Sequence, residues 1–470
     1  MLIDKAIDGY KYNELNGKLG IFGNPIAHTL SPIIHDNLSL IFQNNEKYIP
    51  FKIEKDLNKY VYEAYNSGIL GLNITVPYKQ EVIGTLIDID DDAKKIGAVN
   101  TLVRTTGGYK GYNTDMPGLA RAIISENIKL NDSKVIILGA GGAARAVAYM
   151  CGKYNCKAVY IINRTYDNAR KLCDDMKSIF YNCDFVACSS ENYNSIPKDK
   201  YLFIQSTSVG LKPTDGIPLI SDESFYDMAV AGVDLIYNPA VTPFIRLLAD
   251  KGIKTMNGLK MLLYQGIMAY ELWNNIEIND DIAMSIYRKL CYVLYDKPHL
   301  SIENRQLPNK IILVGYMGSG KTTVGKKLAK QLGYNFVDTD EYIVEKEGRS
   351  ISDIFRDSGE EYFRNLETSI IDELNEKYSN CIISTGGGMP LRKENREKLL
   401  NMGKVYFLNA SADTIYNRVK NSTDRPLLAG DKLYDKIKKM LWDRMDKYCF
   451  CSDYVIDANM DVESIIKSIV

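Results

Sequence analysis

The sequence predicts an α/β protein with parallel sheets, and three observations support this fold class. Short apolar runs rich in β-branched residues alternate with amphipathic helical stretches along almost the whole chain. This alternation is typical of strand–helix–strand units, in which the strands lie parallel. A strand at residues 134–139 leads into a glycine-rich turn, and a strand at residues 310–314 leads into a second turn of a different pattern. The two turns predict two separate strand–turn–helix units.

Length and composition limit the classes of protein to which this chain can belong. With 470 residues, the chain is long enough for about three domains. A hydrophobic content of 46%, a charged content of 25% and a net charge of −1 are typical of a soluble globular protein. No apolar run reaches the roughly 18–20 residues that span a bilayer, and the N-terminus lacks the apolar core of a secretory signal. We therefore expect a cytoplasmic protein that binds neither nucleic acid nor membrane; its oligomeric state stays open, with a homo-oligomer among the alternatives.

The cysteine and histidine inventory narrows the chemistry further. Nine cysteines are scattered through the chain, and without an export signal they are expected to be reduced thiols. Cys449 and Cys451 are close in sequence, but no second cysteine pair or histidine cluster accompanies them, so packing is the favoured interpretation. Only three histidines occur, which nearly excludes histidine-dependent metal sites and catalytic triads.

One domain boundary is clear in the sequence. Residues 296–310 are polar and contain two prolines, and they separate a helical stretch from a new strand. We therefore predict a first part at 1–297, a linker at 298–306 and a second part at 307–470.

The first glycine-rich turn has the pattern of a dinucleotide-binding loop. It follows the strand at 134–139 and opens a helix, and its sequence matches Gly-x-Gly-x-x-Gly/Ala. Gly139 allows the tight turn, Gly141 lets the backbone approach a pyrophosphate, and Ala144 permits close packing of the helix against the strand. A plain tight turn is the alternative interpretation. The predicted contacts with the dinucleotide are Gly139, Ala140, Gly141, Gly142 and Ala143.

The end of the next strand indicates which dinucleotide binds. This strand runs into Asn163, Arg164 and Thr165, where an NAD-binding unit would place an acidic residue on the ribose 2′-hydroxyl. An arginine at this position suits a 2′-phosphate, because guanidinium binds phosphate and a carboxylate repels it. Arg145 is expected to lie close enough to assist. The predicted cofactor is therefore NADP(H).

Polar side chains occupy several turns upstream of this loop. Thr29 and Ser31 precede a proline that starts a helix, and Lys79 follows a strand that a proline interrupts. Asn100 and Asp115 lie in the segments GAVNT and GYNTDMPG. Each of these residues alone is better explained as a cap or a turn residue, since turns favour short polar side chains. Only their combination is informative.

Together with the segments TSVG, DLIYNPAVTP and NGLKMLLYQG, these motifs make residues 18–290 resemble shikimate dehydrogenase. The resemblance implies the NADPH-dependent reduction of 3-dehydroshikimate to shikimate. It also implies two lobes, which are a substrate lobe at 1–115 with 258–297 and a Rossmann lobe for NADP at 116–257.

The resemblance also assigns roles to single residues. Lys79 and Asp115 would form the catalytic pair, because an ammonium can stabilise and protonate the alkoxide that hydride transfer creates, while a carboxylate orients it. The substrate would be bound by Thr29, Ser31, Thr75, Asn100 and Gln265, and the cofactor also by Tyr237 and Gly258. Thr29 stands where the family usually has serine, which leaves quinate as an alternative substrate. Gln205 replaces the usual asparagine on the cofactor side.

The second glycine-rich turn fits G-x-x-x-x-G-K-[ST], the pattern of a phosphate-binding loop. Its backbone N–H groups would surround the β-phosphate of ATP, Lys321 would bridge the β- and γ-phosphates, and Thr322 would bind Mg²⁺. The predicted contacts with ATP in this loop are Gly315, Gly318, Ser319, Gly320, Lys321, Thr322 and Thr323.

Two carboxylates follow this loop at the end of a short predicted strand. Residues i and i+2 share one face of a strand, so Asp338 and Asp340 are both expected to face the γ-phosphate. Asp338 would then hold Mg²⁺ together with Thr322, and Asp340 would orient the acceptor hydroxyl.

The remaining motifs are Arg364 on a helix, the glycine turn ISTGGGMP, a basic flap at 418–430 and Arg444 on another helix. Their order resembles shikimate kinase over residues 310–457. The resemblance implies that Arg425 moves with the lid toward the transferred phosphate and that Arg418 lies near adenine. Shikimate would be held by Asp340, Arg364, Gly386, Gly387, Gly388 and Arg444. A nucleotide-binding regulatory module without kinase activity is the alternative for this part; a bifunctional enzyme is the favoured interpretation.

Overall fold

A computed structural model describes residues 12–27, 29–44, 46–211, 218–296, 309–420 and 433–470. The described residues form two compact units. The first unit contains those within Met1–Asp36 and Glu46–Glu277, and the second contains those within Asn37–Asn45 and Ile278–Val470. Every helix in the described part of the chain is too short or too polar to cross a membrane.

The N-terminal elements form a six-stranded mixed sheet flanked by helices. They are α1 (Tyr12–Leu15), β1 (Leu19–Gly23), α2 (Ser31–Phe42), β2 (Tyr48–Lys52), α3 (Leu57–Asn66), β3 (Gly71–Ile74), β4 (Asp88–Ile89), α4 (Asp91–Ile96), β5 (Thr101–Thr105) and β6 (Gly108–Tyr112). The strand order is β2-β1-β3-β5-β6-β4. β5 pairs antiparallel with both β3 and β6, whereas β1 pairs parallel with β2 and β3. Phe22, Phe51, Leu72 and Leu102 form part of the buried core beneath this sheet.

The next elements form an all-parallel sheet. They are α5 (Asp115–Ser125), β7 (Lys134–Leu138), α6 (Gly142–Lys153), β8 (Ala158–Asn163), α7 (Tyr166–Lys177), β9 (Asp184–Ser189), β10 (Tyr201–Gln205), β11 (Ala229–Asp234), α8 (Pro243–Asp250), β12 (Lys254–Met256) and α9 (Leu259–Asn274). The order β12-β11-β10-β7-β8-β9 reverses direction beside β7. Ligands of such sheets bind outside the carboxyl ends of the strands at this reversal, which places a crevice after β7 and β10.

The second unit contains a five-stranded parallel sheet. Its elements are α10 (Asp280–Cys291), β13 (Lys310–Val314), α11 (Lys321–Leu332), β14 (Asn335–Asp338), α12 (Thr339–Glu347), α13 (Ile351–Lys377), β15 (Cys381–Ser384), α14 (Lys393–Met402), β16 (Lys404–Asn409), α15 (Ala412–Val419), α16 (Leu433–Phe450), β17 (Tyr454–Asp457) and α17 (Val462–Ile469). The order is β14-β15-β13-β16-β17, so the strand that leads into the phosphate loop, β13, is central. The predicted α/β class with parallel sheets is confirmed.

The position of α10 differs from the predicted domain division. The sequence predicts that residues 258–297 belong to the first part, but the structure groups Ile278 and the residues after it with the second unit. The cause is a tertiary contact, since the Arg288 guanidinium on α10 donates hydrogen bonds to the carbonyl oxygens of Cys449 and Phe450 at the end of α16. The predicted linker at 298–306 lies outside the described residues. The nine cysteines are free thiols, as expected, and Cys449 and Cys451 are buried in the core.

Candidate active sites

A cavity of about 390 Å³ opens in the first unit. Its lining comes from the turns after β1 and β3, the start of α5, and the segment from Leu235 to α9. All the residues predicted to bind or convert the substrate of the dehydrogenase line this cavity. They are Thr29, Ser31, Thr75, Lys79, Asn100, Asp115 and Gln265, and the predicted cofactor residues Tyr237 and Gly258 lie on the same wall.

Lys79 and Asp115 form an ion pair inside this cavity. The Nζ atom of Lys79 donates to Oδ2 of Asp115 across 2.6 Å. Lys79 follows the Val76–Pro77 turn, while Asp115 is the first residue of α5, so the pair joins two elements that are distant in sequence. The two side chains are 31% and 17% exposed, which leaves them partly shielded yet open to a ligand.

The other polar residues of the cavity are held by local hydrogen bonds. The hydroxyl of Thr29 donates to the hydroxyl of Ser31 at 3.2 Å. The amide nitrogen of Gln265 donates to the carbonyl of Leu262 at 2.8 Å, one turn earlier on α9. Asn100 is almost fully buried, and its Oδ1 accepts the backbone N–H of Thr114 at 2.7 Å. The cavity therefore presents preoriented neutral polar groups beside one ammonium–carboxylate pair.

The predicted dinucleotide loop occupies the crevice after β7. Gly139 has φ 110°, and a Cβ there would lie only 2.8 Å from the Thr207 methyl group, so only glycine fits. A Cβ at Gly141 or Gly142 would meet no atom within 4 Å. The N-terminus of α6 is thus open on the side where a pyrophosphate would approach.

The residues predicted to select the cofactor lie at the end of β8. Arg164 and Thr165 are exposed, and the Asn163 amide donates to the Thr165 carbonyl at 2.9 Å. Arg145 was expected to assist Arg164, but its guanidinium is engaged elsewhere. It pairs with Asp175 on α7 at 2.5 Å and donates to the carbonyl of Ile96 at 2.9 Å.

Asp234 is a buried carboxylate that the sequence analysis did not single out. Its Oδ2 accepts the Thr242 hydroxyl at 2.6 Å, and its Oδ1 accepts the N–H of Ile236 at 2.9 Å. These two bonds close the loop that carries Tyr237 to the cavity wall. Burial raises the pKa of Asp234 to about 6. The only sequence signal was the segment DLIYNPAVTP, in which an aspartate and a threonine stand eight positions apart.

The phosphate loop of the second unit contains three glycines with positive φ angles. Gly315, Gly318 and Gly320 have φ values of 150°, 79° and 98°, which favour glycine. The ammonium of Lys321 folds back onto the loop, donating to the carbonyls of Gly315 at 2.8 Å and Tyr316 at 3.1 Å. Arg418 donates to the carbonyl of Ser319 at 3.1 Å, at the edge of this loop.

Asp338 and Asp340 do not share a strand face, contrary to the prediction. The strand ends at Asp338, which caps α12 by accepting the N–H of Asp340, and Asp340 lies in the first helical turn. The N-cap preference of aspartate therefore ended the strand earlier than predicted. Oδ2 of Asp338 accepts the hydroxyl of Thr322 at 2.8 Å and that of Ser384 at 3.0 Å. Hydroxyl and carboxylate oxygens in contact are donors that suit Mg²⁺.

Two of the predicted shikimate-binding side chains, Asp340 and Arg364, lie against the glycine turn after β15. A Cβ on Gly386 would overlap Oδ1 of Asp340, and one on Gly388 would overlap the Arg364 guanidinium. Asp340 is partly buried, and desolvation raises its pKa to about 6, with the nearby charge of Asp338 acting in the same direction. The hydroxyl of Tyr448 donates to the carbonyl of Gly387 at 2.7 Å.

Glu367 and Arg444 also lie in this part of the second unit. Glu367 is only 1% exposed and pairs with Arg364 at 2.7 Å, although the sequence analysis did not select it. Its pKa is raised to about 7 by burial. The i, i+3 spacing of RNLE was the available signal. Arg444 lies with its guanidinium carbon 5.8 Å from the Tyr316 ring centroid, and Arg425 falls outside the described residues.

Three family models match the chain. The family described as "Shikimate dehydrogenase substrate binding domain" matches residues 21–102, and "Shikimate / quinate 5-dehydrogenase" matches residues 119–207. The family described as "Shikimate kinase" matches residues 317–470.

Individual proteins are similar over the first part. The NADP(+) shikimate dehydrogenase of Desulforamulus reducens is 35% identical over 284 residues, which cover 59% of this chain and 97% of that protein. The structure of shikimate 5-dehydrogenase from Thermus thermophilus with NADP(H) and shikimate is 30% identical at a TM-score of 0.51, covering 58% of this chain and 98% of that one. The Listeria monocytogenes structure with shikimate and NAD is 28% identical at a TM-score of 0.54, covering 58% and 96%.

The matched family models cover the sites described above. The two dehydrogenase models include site residues of the first unit, and the kinase model includes site residues of the second. The chain belongs to the shikimate dehydrogenase family in its first part and carries a shikimate kinase domain in its second, and it is therefore a bifunctional shikimate-pathway enzyme with oxidoreductase and phosphotransferase activities.

Proposed function

We propose that the first part reduces 3-dehydroshikimate to shikimate with NADPH, and that the second part phosphorylates shikimate at its 3-hydroxyl with ATP. The observation that carries the first assignment is the Lys79–Asp115 pair inside a cavity lined by the predicted substrate residues. The second assignment rests on the phosphate loop and the glycine turn. Lys321 and Asp338 lie at the loop, and Asp340 and Arg364 lie at the turn.

In the reductase reaction, the loop from Gly139 to Ala143 would hold NADPH in the crevice after β7, where the cofactor would supply the hydride. The Lys79 ammonium stabilises the negative charge that develops on the carbonyl oxygen and donates a proton to it from Nζ. Asp115 holds this ammonium at 2.6 Å and so fixes its direction. Asn100, Thr75 and Gln265 orient the hydroxyl and carboxylate groups of the substrate through neutral hydrogen bonds.

In the kinase reaction, ATP bound at the phosphate loop supplies the phosphoryl group. Thr322 and Asp338 would hold Mg²⁺, which neutralises charge on the phosphates. Asp340 orients the attacking hydroxyl of shikimate and takes up its proton, and its raised pKa suits a proton acceptor. Arg364 and Arg444 bind the substrate carboxylate, and Lys321 stabilises the transferred phosphoryl group. Arg418 and Arg425 are assigned to the nucleotide side of this site.

Arg164 is the residue we propose to select NADP over NAD. Arg164→Asp replaces an attraction for the 2′-phosphate by a repulsion, so the Kd of NADP should rise at least about tenfold. The ratio of kcat/KM for NADP to kcat/KM for NAD should decrease at the same time. Fluorescence titration of both cofactors and kcat/KM for both would measure this.

The exposed Arg356 on α13 offers a control for the change in net charge. Arg356→Asp should leave the binding of both cofactors unaltered. A wild-type protein that uses NAD as efficiently as NADP would contradict the role of Arg164.

Quinate is the second candidate substrate, because Thr29, which lines the cavity together with Ser31, carries a methyl group that the family's usual serine lacks. The ratio of kcat/KM for the oxidation of shikimate and of quinate separates the two. We expect the ratio to favour shikimate. For the second part, ADP release that depends on added shikimate tests the kinase assignment.

A further inference from the structure

A buried polar network lies behind the cavity of the first unit. Its members are Tyr48, Asn73, Asn100, Thr101 and Thr114, and none of them is more than 4% exposed. Buried polar groups are costly unless they are hydrogen-bonded, so a connected set of five requires that each member be held in one orientation. Of these five residues, only Asn100 was predicted from the sequence to belong to the site.

Thr101 occupies the centre of the network. Its Oγ1 accepts the Asn73 amide at 3.1 Å, donates to Oδ1 of Asn100 at 3.2 Å and lies 3.1 Å from Oγ1 of Thr114. Asn73 in turn accepts the Tyr48 hydroxyl at 2.7 Å. Thr101 is completely buried and is absent from the residues that line the cavity, so its hydroxyl does not reach the substrate.

Hydrogen bonds connect the network segment to the backbone next to both Lys79 and Asp115. Thr114 immediately precedes Asp115, and its N–H and hydroxyl are both bonded to the Asn100 side chain. Two residues before Thr101, the N–H of Val99 donates to the carbonyl of Lys79 at 2.8 Å. The segment from Val99 to Thr101 is therefore the place where the backbones of Lys79 and Asp115 are tied together.

We propose that the Thr101 hydroxyl is a positioning group for the reductase, which sets Asn100 and Asp115 relative to Lys79 without contacting the substrate. The inference rests on the proposed roles of Lys79 and Asp115. Valine has nearly the shape of threonine but lacks the hydroxyl, so Thr101→Val leaves the Asn73 amide with only the Asn100 carbonyl as acceptor and removes one donor to Asn100. Serine keeps the hydroxyl and loses only a methyl group.

The test compares three variants of the full chain. Thr101→Val should lower kcat/KM for shikimate oxidation about ten- to a hundredfold, because small displacements of catalytic groups are costly. Thr101→Ser should recover most of this loss. Thr105→Val is the matched control: Thr105 lies on the same strand, its hydroxyl donates to the carbonyl of Gly108 outside the network, and its loss should change kcat/KM by less than about twofold.

Two measurements on the same samples exclude unfolding of the rest of the chain. The Kd of NADP reports on the other lobe and the kinase rate reports on the second unit, and both should equal those of the wild type. If Thr101→Val did not bind NADP, the Tyr48→Phe variant would test the proposal instead. This change removes a hydroxyl of the network that does not line the cavity, and it should lower kcat/KM several-fold. For Tyr48→Phe, kcat/KM equal to that of the wild type would overturn the proposal.

The remaining outcomes separate this inference from the function on which it rests. A wild-type protein that does not oxidise shikimate would refute the proposed function. An active wild type with a Thr101→Val variant within about twofold of it would refute the positioning role alone. A Thr101→Ser variant as impaired as Thr101→Val would also refute it, because side-chain shape and not the hydroxyl would then be responsible.

Discussion

Replacing Lys79 by alanine is expected to lower kcat for shikimate oxidation by at least about a thousandfold, because the variant loses both the proton donor and the charge that stabilises the alkoxide. Phosphorylation of shikimate by the same molecules should stay within about twofold of the wild type. The measurement is NADPH formation and ADP release on one purified sample. The kinase rate thus serves as an internal control for folding.

Lys110 provides a matched control for Lys79. It belongs to the same lobe and forms an ion pair with Asp88 at 2.8 Å, but it does not line the cavity. Lys110→Ala should leave kcat within about twofold of the wild type, since partly exposed ion pairs contribute little. A Lys79→Ala variant that retains more than a tenth of the wild-type rate would exclude Lys79 as the proton donor.

Replacing Lys321 by alanine should have the opposite effect. The side chain is buried in the phosphate loop, and we propose that it stabilises the transferred phosphoryl group, so its loss should lower kcat for phosphorylation at least about a hundredfold. Dehydrogenation should remain unchanged. Shikimate-dependent ADP release and the Kd of ATP would be measured together.

The exposed Lys326 lies on the same helix as Lys321, and Lys326→Ala should retain full kinase activity. Loss of both enzyme activities in a folded Lys321→Ala protein would contradict two independent sites. The same holds for Lys79→Ala.

Features that depend on one residue type in a local backbone conformation were predictable from the sequence. Gly139 and Gly320 have φ values of 110° and 98°, which few other residues tolerate, so both loops are recognisable from their glycines. The fold class followed from the alternation of strand and helix patterns. The pairing of Lys79 with Asp115 came from the family resemblance, because 36 positions separate the two residues and no local pattern connects them.

Features that depend on tertiary contacts were not predictable. Arg145 was expected near the 2′-phosphate, but Asp175 on the next helix attracts its guanidinium. Asp340 was placed on a strand, although the capping bond to Asp338 starts a helix there. Thr101 resembles any strand threonine in the sequence, and only the packing of β3, β5 and α5 reveals its bonds to Asn73 and Thr114.

The central claim is that one chain carries out two consecutive reactions, and a single coupled assay tests it. The purified protein would receive 3-dehydroshikimate, NADPH, ATP and Mg²⁺, with mass spectrometry of shikimate and shikimate 3-phosphate over time. We expect shikimate 3-phosphate in the complete mixture, shikimate alone when ATP is omitted, and neither product when NADPH is omitted. Shikimate that accumulates unphosphorylated in the complete mixture, or NADPH oxidation without shikimate formation, would contradict the account.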